Sequence, residues 1–258
     1  MIERTSCCVF SERGYSSTSE EMLRELLSKG EAVSWLGGPG IAGIEWPRNA
    51  DEAPLAHVAS FNLSDAQCAT DLPGGYLELY SDLTTYGDDA ADAAQNGWLV
   101  RWVDKRPDEL TLTNPETPPE AVPQPVLQLG RLYPGFTLPY FEDLGELSET
   151  QFNELQEATT ELNVSWHRHR FGRELHDEVG FTTVGEADSR HGYEPYRYYL
   201  DECLPLNADD AHVLVAAVES WTALNGWFGD AGSFEVWMRR SDLQARIFDT
   251  AWCCIRTD

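Results

Sequence analysis

The amino-acid sequence predicts an α+β protein that is mainly antiparallel β-sheet, with internally duplicated β-rich halves and a few flanking helices. Short segments of alternating apolar and polar residues follow one another between glycine- and proline-containing turns, which is typical of antiparallel strands. Few segments have the periodicity of a helix. The β-α-β repeat of about 30 residues that a doubly wound sheet requires is missing from the sequence.

A short phrase that occurs twice predicts the duplication. Residues 75–80 and 232–237 both read Gly, any residue, apolar, Glu, apolar, aromatic. An Ala-His-Val triplet precedes each copy and contains His57 in the first case and His212 in the second. Because side chains alternate along a strand, the Glu and the aromatic residue of each copy are expected on one face of the sheet.

The first half of the chain begins with a predicted helix at residues 19–29. Thr18 and Glu21 have the spacing of a capping box, a leucine stripe follows, and Gly30 provides a left-handed stop. Alternation and flanking turns then predict strands at residues 55–63, 76–80 and 98–103.

The middle of the chain combines a connector with a long helix. Five prolines between residues 114 and 125 remove backbone donors, so this segment is expected to be extended and to lack regular structure. Ser148 and Gln151 form a second capping box, and apolar residues at helical spacing follow as far as Gly172. We therefore expect one domain, 1–258, in which the connector and helix (114–172) join two related halves at about 30–113 and 165–258.

The second half returns to strands. Ser241 is expected to cap a single helical turn that runs through Ala245. Strands are predicted at residues 181–184, 196–200, 212–219, 233–239 and 250–257.

The charge of the chain limits its partners. Lys and Arg number 18 and Asp and Glu number 44, for a net charge of −26. Such a field repels phosphate backbones and anionic lipids, so nucleic acid and membranes are poor partners. A basic protein is the partner that this charge favours, although acidity also keeps proteins soluble without any partner.

The location and redox state are also predicted. No apolar stretch approaches the roughly 20 residues of a membrane span, and residues 1–10 lack the features of a secretory signal. We expect a cytoplasmic protein, in which the six cysteines are reduced.

Neither a cofactor nor a metal is expected. The glycines at residues 37–40 lack the pattern of a phosphate-binding loop, and the sequence has no nucleophile elbow. His167 and His169 stand beside arginines that repel a cation. No catalytic residue is assigned, and the candidates for a binding site are polar residues near the turns and strands of the two halves: His57, His176, Asp188, His212 and Asp230.

Motifs at both ends of the chain resemble those of the YwqG-like family, a bacterial domain of unknown function. The matching segments are 36–39, 46–47, 54–55, 62–63 and 72–80, and then 227–237, 242–243 and 248–249. The resemblance covers about residues 30–258. It implies an antiparallel α+β fold and an occasional genomic association with secreted-toxin systems, but no established activity or cofactor. Ser60, and a position near Gly185, stand where the family often has Gln.

Two classes of function follow. The first is a non-enzymatic protein-binding module with an immunity or regulatory role, in which an acidic face captures a basic protein. The alternative is a hydrolase-type enzyme or small-ligand binder that uses a cleft between the two halves.

Overall fold

The structure is a computed structural model that describes residues 5–11, 18–65, 72–137, 147–171, 182–188, 194–220, 222–229 and 232–257. Over these residues the fold is mostly antiparallel β-sheet with a few helices, which confirms the predicted α+β class. The strands of the described residues are β1 (Thr5–Ser11), β2 (Ser34–Gly37), β3 (Gly40–Ile41), β4 (Ala56–Asn62), β5 (Tyr76–Ser81), β6 (Trp98–Val103), β7 (Leu112–Thr113), β8 (Leu127–Thr137), β9 (Thr183–Asp188), β10 (His212–Glu219), β11 (Ser233–Arg239) and β12 (Trp252–Arg256). The α-helices are α1 (Glu20–Ser28), α2 (Glu149–Phe171), α3 (Glu194–Cys203) and α4 (Arg240–Ala245).

The described strands form a ten-stranded sheet in the order β12-β11-β10-β9-β1-β8-β2-β4-β5-β6, and β3 and β7 pair separately. β1 and β8 lie in the middle and pair antiparallel over the whole length of β1. We call β2, β4, β5 and β6 the first arm, and β9 to β12 the second arm. Each arm ends in three strands that are consecutive in the chain. A duplication would produce this order, but the duplication itself remains a prediction.

Each arm has a β-bulge at a similar place. The pairing of β4 with β5 shifts register between His57 and Ala59, and the pairing of β10 with β11 shifts between Leu214 and Ala216. In this register His57 lies opposite Tyr80, and it is Leu214 that lies opposite Trp237. The two histidines of the repeated triplets therefore occupy different positions, because His212 precedes Leu214 by two residues.

The sheet curls around one core to which both arms contribute. The inner face of the first arm supplies Val58, Leu79 and Val100, and the second arm supplies Val236 and Ile255 to the same cluster. The two edge strands also approach each other, since the rings of Trp98 in β6 and Trp252 in β12 lie 4.8 Å apart, edge to face. Burial of this shared apolar surface holds the arms together.

Helix α1 covers the outer face of the first arm. Leu23 and Leu27, spaced to lie on one side of the helix, are buried beside Trp35 and Tyr76. The predicted helix is confirmed, but its predicted cap is wrong. Ser19 is the N-cap and its Oγ accepts the Met22 N–H at 3.1 Å.

Helix α3 covers the outer face of the second arm and replaces the strand predicted at residues 196–200. Leu200 and Leu204, four residues apart, are buried against Trp237 and Trp252. This helical spacing and its packing override the preference of the segment's tyrosines for strands.

Other predicted elements are close to those observed. The long helix is confirmed as α2, where Gln151 Oε1 accepts the Ser148 N–H at 3.0 Å in the expected capping box. The prolines of residues 114–125 lie in a segment without helix or strand. The last helix begins at Arg240, so Ser241 lies inside it rather than at its cap. The prediction missed β1, β2 and β8, which include the middle of the sheet.

Two further findings concern the cysteines and the lengths of the helices. Cys8 is disulfide-bonded, so the expectation that all six cysteines are reduced is wrong for this residue. Cys203, Cys253 and Cys254 are free thiols. In the described part of the chain, no helix combines the length and apolarity that crossing a membrane requires.

The loop between β5 and β6 fastens the first arm to the last strand of the second. The Ile255 N–H donates to the Tyr86 carbonyl at 2.9 Å, and the Trp252 indole donates to the Gly87 carbonyl at 2.8 Å. Gly87 has φ +73, and a Cβ there would collide with the carbonyl oxygen of Cys253. Glycine is thus required for two reasons, the left-handed backbone and the close approach.

A pair of glycine substitutions separates these two reasons. Gly30 has φ +74 but nothing within 4 Å of the Cβ position. We expect Gly30→Ala to lower the free energy of unfolding by about 1–2 kcal/mol, the cost of the left-handed backbone alone. Gly87→Ala should cost about 1–3 kcal/mol more because the added methyl group overpacks the junction. Urea unfolding measures both, and equal losses would contradict the docking of this loop.

Candidate functional site

The sequence-predicted site residues are dispersed. His57 lies in β4 and His212 in β10, and four strands separate these two in the sheet. Asp188 ends β9, where its backbone lies opposite Val213. His176 and Asp230 lie outside the described residues. The described candidates therefore do not form one catalytic group.

The repeated glutamate of the first arm lies in a buried hydrogen-bonded cluster. Glu78 is completely buried, and its Oε1 accepts the Ile41 N–H at 2.6 Å and the Tyr80 hydroxyl at 3.0 Å. Its Oε2 lies 2.5 Å from an Arg101 nitrogen, and the same guanidinium donates to the Ile41 carbonyl at 2.7 Å. We call Glu78, Tyr80, Arg101 and Ile41 the Glu78 cluster.

Burial of the Glu78 carboxylate costs free energy, and the other groups of the Glu78 cluster offset that cost. Burial raises the pKa of Glu78, while the Arg101 guanidinium and the two hydrogen-bond donors oppose that rise. Burial also raises the pKa of Tyr80, and the adjacent carboxylate adds to this rise, so the phenol keeps its proton. The arrangement suits a structural ion pair, in which Glu78 Oε2 and Arg101 Nε have no hydrogen-bond partner among the described residues.

His57 is held as a neutral ring beside this cluster. Its Nδ1 lies 2.9 Å from the Gly37 carbonyl, which can only accept, so Nδ1 carries the proton. Nε2 then accepts from the Ser60 hydroxyl at 2.8 Å. Burial lowers the pKa of His57 to about 4. A serine and a histidine in this contact resemble a nucleophile and its base, but both are buried, with exposed fractions of 0% and 3%.

The second arm has a related cluster around its own repeated glutamate. Glu235 Oε2 accepts the indole N–H of Trp237 at 2.9 Å and lies 3.1 Å from Nε of Arg256. Burial raises the pKa of Glu235, and Arg256 and the indole oppose the rise. Cys254 lies opposite Glu235 in the sheet. We call Glu235, Trp237, Cys254 and Arg256 the Glu235 cluster.

The free thiols near the Glu235 cluster are poor nucleophiles. Burial raises the pKa of Cys254 far above that of an ordinary thiol, and the neighbouring Glu235 carboxylate adds to the rise. Burial, Glu202 and nearby aspartates raise the pKa of Cys203 to about 11. Because the thiolate is the reactive form, neither residue suits covalent catalysis at neutral pH.

A small surface pocket lies over the Glu235 cluster. Helix α3 forms one wall, the β5–β6 loop forms another, and Trp237 and Cys254 of the cluster line it. Because the loop belongs to the first arm and the rest to the second, the pocket lies where the two arms meet. The side chains that give it its chemistry are Tyr86, Asp88, Tyr199, Leu200, Trp237 and Cys254. We call it the α3 pocket.

His212 lies under the same helix but is bonded to it. Its Nε2 lies 2.7 Å from the Leu204 carbonyl, and Nδ1 lies 3.8 Å from an Asp201 oxygen. The ring is 3% exposed. These contacts hold the end of α3 against β10, which is a structural role. In the part of the chain that is described, no group of three or more His, Cys, Asp or Glu residues is arranged to hold a metal ion.

The residues that complete both clusters were not indicated by any pattern in the sequence. Arg101 and Arg256 were not candidates, because only the strand pairing brings them to the glutamates. Tyr86, Asp88 and Tyr199 were also missed, since the loop and the helix that carry them are far apart in the chain. The repeated Glu and aromatic residue were the one pattern in the sequence that pointed to the two clusters. In both arms these two residues lie on the same face of the sheet.

Comparisons with known proteins place the chain in one family. A family model described as a domain of unknown function, DUF1963, matches residues 34–256. None of the curated proteins matches the chain.

Replacing Arg101, the cation of the Glu78 cluster, tests how much the pairing of the buried Glu78 carboxylate contributes to stability. We expect Arg101→Met to lower the free energy of unfolding by about 3–5 kcal/mol, because the Glu78 carboxylate would remain buried without a counter-charge. Lys29→Met is the control, since it breaks the exposed Lys29–Glu25 pair and should leave the unfolding midpoint unchanged. Chemical denaturation measures both. Equal midpoints for the two variants would show that the buried pair has no special role.

The ionisation of His57 predicts a pH dependence of stability. An unfolded histidine has a pKa of about 6.5, so between that pH and about 4 the unfolded chain binds a proton that the folded chain does not. The stabilisation is complete above pH ~6.5 and is lost as the pH falls toward 4, at about 1.4 kcal/mol per pH unit.

A His57→Gln variant isolates this effect from other titrating groups. It should be less stable at neutral pH, but its stability should fall less steeply than that of the wild type between pH ~6.5 and ~4.5. Urea titrations at several pH values provide the two slopes. If stability fell with the same slope in the variant and the wild type, His57 would bind its proton equally well in the folded and unfolded states.

Proposed function

This chain belongs to the DUF1963 family, and we propose that it is a non-enzymatic protein-binding module whose partner is a basic protein. The observation that carries the proposal is that the described polar groups able to form an active site are buried inside the fold. Glu78, Glu235 and His57 are buried and hydrogen-bonded within the fold. These groups are thus used inside the fold, and the acidic charge of the chain is the feature that favours a partner.

The charge supports a basic partner. A net charge of −26 on 258 residues produces a long-range field that accelerates the approach of cations. Complementary charge raises association rates and suppresses encounters with other acidic proteins. Binding of this kind weakens as salt screens the charges.

The more specific form of the proposal follows from the YwqG-like motifs. A cytoplasmic immunity or regulatory protein of this type would neutralise a basic toxin by direct binding. Salt-dependent capture suits that role, because a fast association rate limits the time for which a toxin acts.

The hydrolase alternative requires an accessible nucleophile and base. Ser60 and His57 have the right contact among the described residues, but a substrate carbonyl cannot reach a serine with no exposed surface. The small-ligand alternative is favoured by one observation, the α3 pocket between the arms.

Capture from extracts of the native host tests the proposal. The full chain is immobilised, and bound proteins are eluted and identified after washing at about 50 mM and about 500 mM salt. We expect a basic protein that is retained at the lower concentration and released at the higher one, because screening shortens the range of the field. Calorimetry with the purified partner should then give an affinity that weakens at least about tenfold over the same range.

An unrelated protein of similar acidity is the control bait. Proteins that bind both baits equally respond to charge alone and do not count as partners. The proposal is contradicted if no specific basic partner is recovered, or if the affinity of the purified partner is unchanged by salt.

A further inference from the structure

The α3 pocket has aromatic walls at an exposed position. Tyr86 and Tyr199 line it and are 47% and 42% exposed, whereas Trp237 lies at its base and is almost completely buried. Large aromatic side chains that stay exposed together at a concave site are typical of ligand contacts. The faces of such rings carry negative potential, which favours a cation over an anion.

Carboxylates surround this pocket. Asp88 lines it, and the raised pKa values of Cys203 and Cys254 report the fields of Asp89, Asp92, Glu202 and Glu235 nearby. Arg256, which is paired with Glu235, is the cation that acts on Cys254 among the described residues. The local charge is therefore negative, even after the buried ion pair is subtracted.

We propose that the α3 pocket is a binding site for the side-chain ammonium of a lysine, held between aromatic rings and Asp88. The lysine stem lies against the exposed faces of Tyr86 and Tyr199, and the ammonium points toward Trp237. This inference rests on the proposed function, because it names the contact that a basic partner makes.

The Glu235 carboxylate prepares the base of the pocket. It accepts the Trp237 indole N–H at 2.9 Å, which fixes the orientation of the ring. A hydrogen bond to a carboxylate also polarises the indole and enriches the electron density of its face. The carboxylate thus strengthens the attraction for a cation while remaining buried itself.

The size of the pocket selects the ligand. Its cavity volume is about 20 Å³, which is close to the space of one water-sized group. A primary ammonium fits this space. A guanidinium, with four heavy atoms in a plane, and a trimethylated ammonium need more space than this and fit the pocket less well.

Small probes test the pocket without any protein partner. The full chain, labelled with ¹⁵N, is titrated with N-acetyl-lysine methylamide while the indole N–H signal of Trp237 is followed, assigned with Trp237→Phe. We expect a saturable shift of that signal. The arginine and norleucine analogues should bind at least about threefold more weakly, because one fits less well and the other lacks the charge.

Matched variants separate the ring from the charge. Tyr86→Leu and Asp88→Asn should each weaken binding of the lysine probe at least about threefold, whereas Tyr86→Phe keeps the ring and should bind like the wild type. Glu45→Gln removes one exposed carboxylate that does not line the pocket and should leave binding unchanged. Dispersed spectra for each variant show that it is folded.

The outcomes distinguish this inference from the proposed function. No saturable shift, equal binding of the norleucine probe, or equal effects of Asp88→Asn and Glu45→Gln would each overturn the lysine site. If a basic partner still binds with salt dependence in that case, the proposed function stands and only the site is wrong. If the lysine probe binds but no basic partner exists, the site stands and the proposed function fails.

Discussion

A carboxylate that is buried in a β-sheet requires hydrogen-bond donors and a cation beside it, and this requirement organises both arms of the molecule. Glu78 is met by a backbone N–H, a phenol and Arg101, which ties β5 to β6 and to the short strand β3. Glu235 is met by an indole and by Arg256 from β12. Because an unpaired buried charge costs several kcal/mol, each pair specifies which strands are neighbours. The Ile41 backbone bonds to both members of the Glu78–Arg101 pair, whereas the α3 pocket lies over the Glu235–Arg256 pair.

The sequence predicted the elements whose local pattern agrees with their environment. β5 and β11 are short, alternate regularly and follow glycine turns, and α2 has a clear capping box. The centre of the sheet could not be predicted in this way, because β8 contains both glycine and proline and so lacks the pattern of a strand. The tyrosine-rich segment of α3 favours a strand by composition, and only its packing on the sheet makes it a helix.

The candidate site was less predictable than the fold for a geometric reason. Strand register decides which side chain lies opposite another, and a bulge shifts that register by a residue in both arms. The repeated histidines looked equivalent in sequence but are not equivalent in the sheet, because His57 lies opposite Tyr80 whereas His212 precedes by two residues the position opposite Trp237. The pocket residues Tyr86 and Tyr199 come from a loop and a helix more than a hundred positions apart, so no spacing in the sequence could have joined them.

The docking of the β5–β6 loop on β12 has a consequence for biosynthesis. The loop emerges from the ribosome long before residues 252–256, which supply the indole and the amide that bind its carbonyls. At synthesis rates of about 5–20 residues per second, the first arm is without these two hydrogen bonds for roughly ten seconds. The closure of one edge of the sheet onto the other through these two hydrogen bonds therefore has to wait until residues 252–256 have been synthesised.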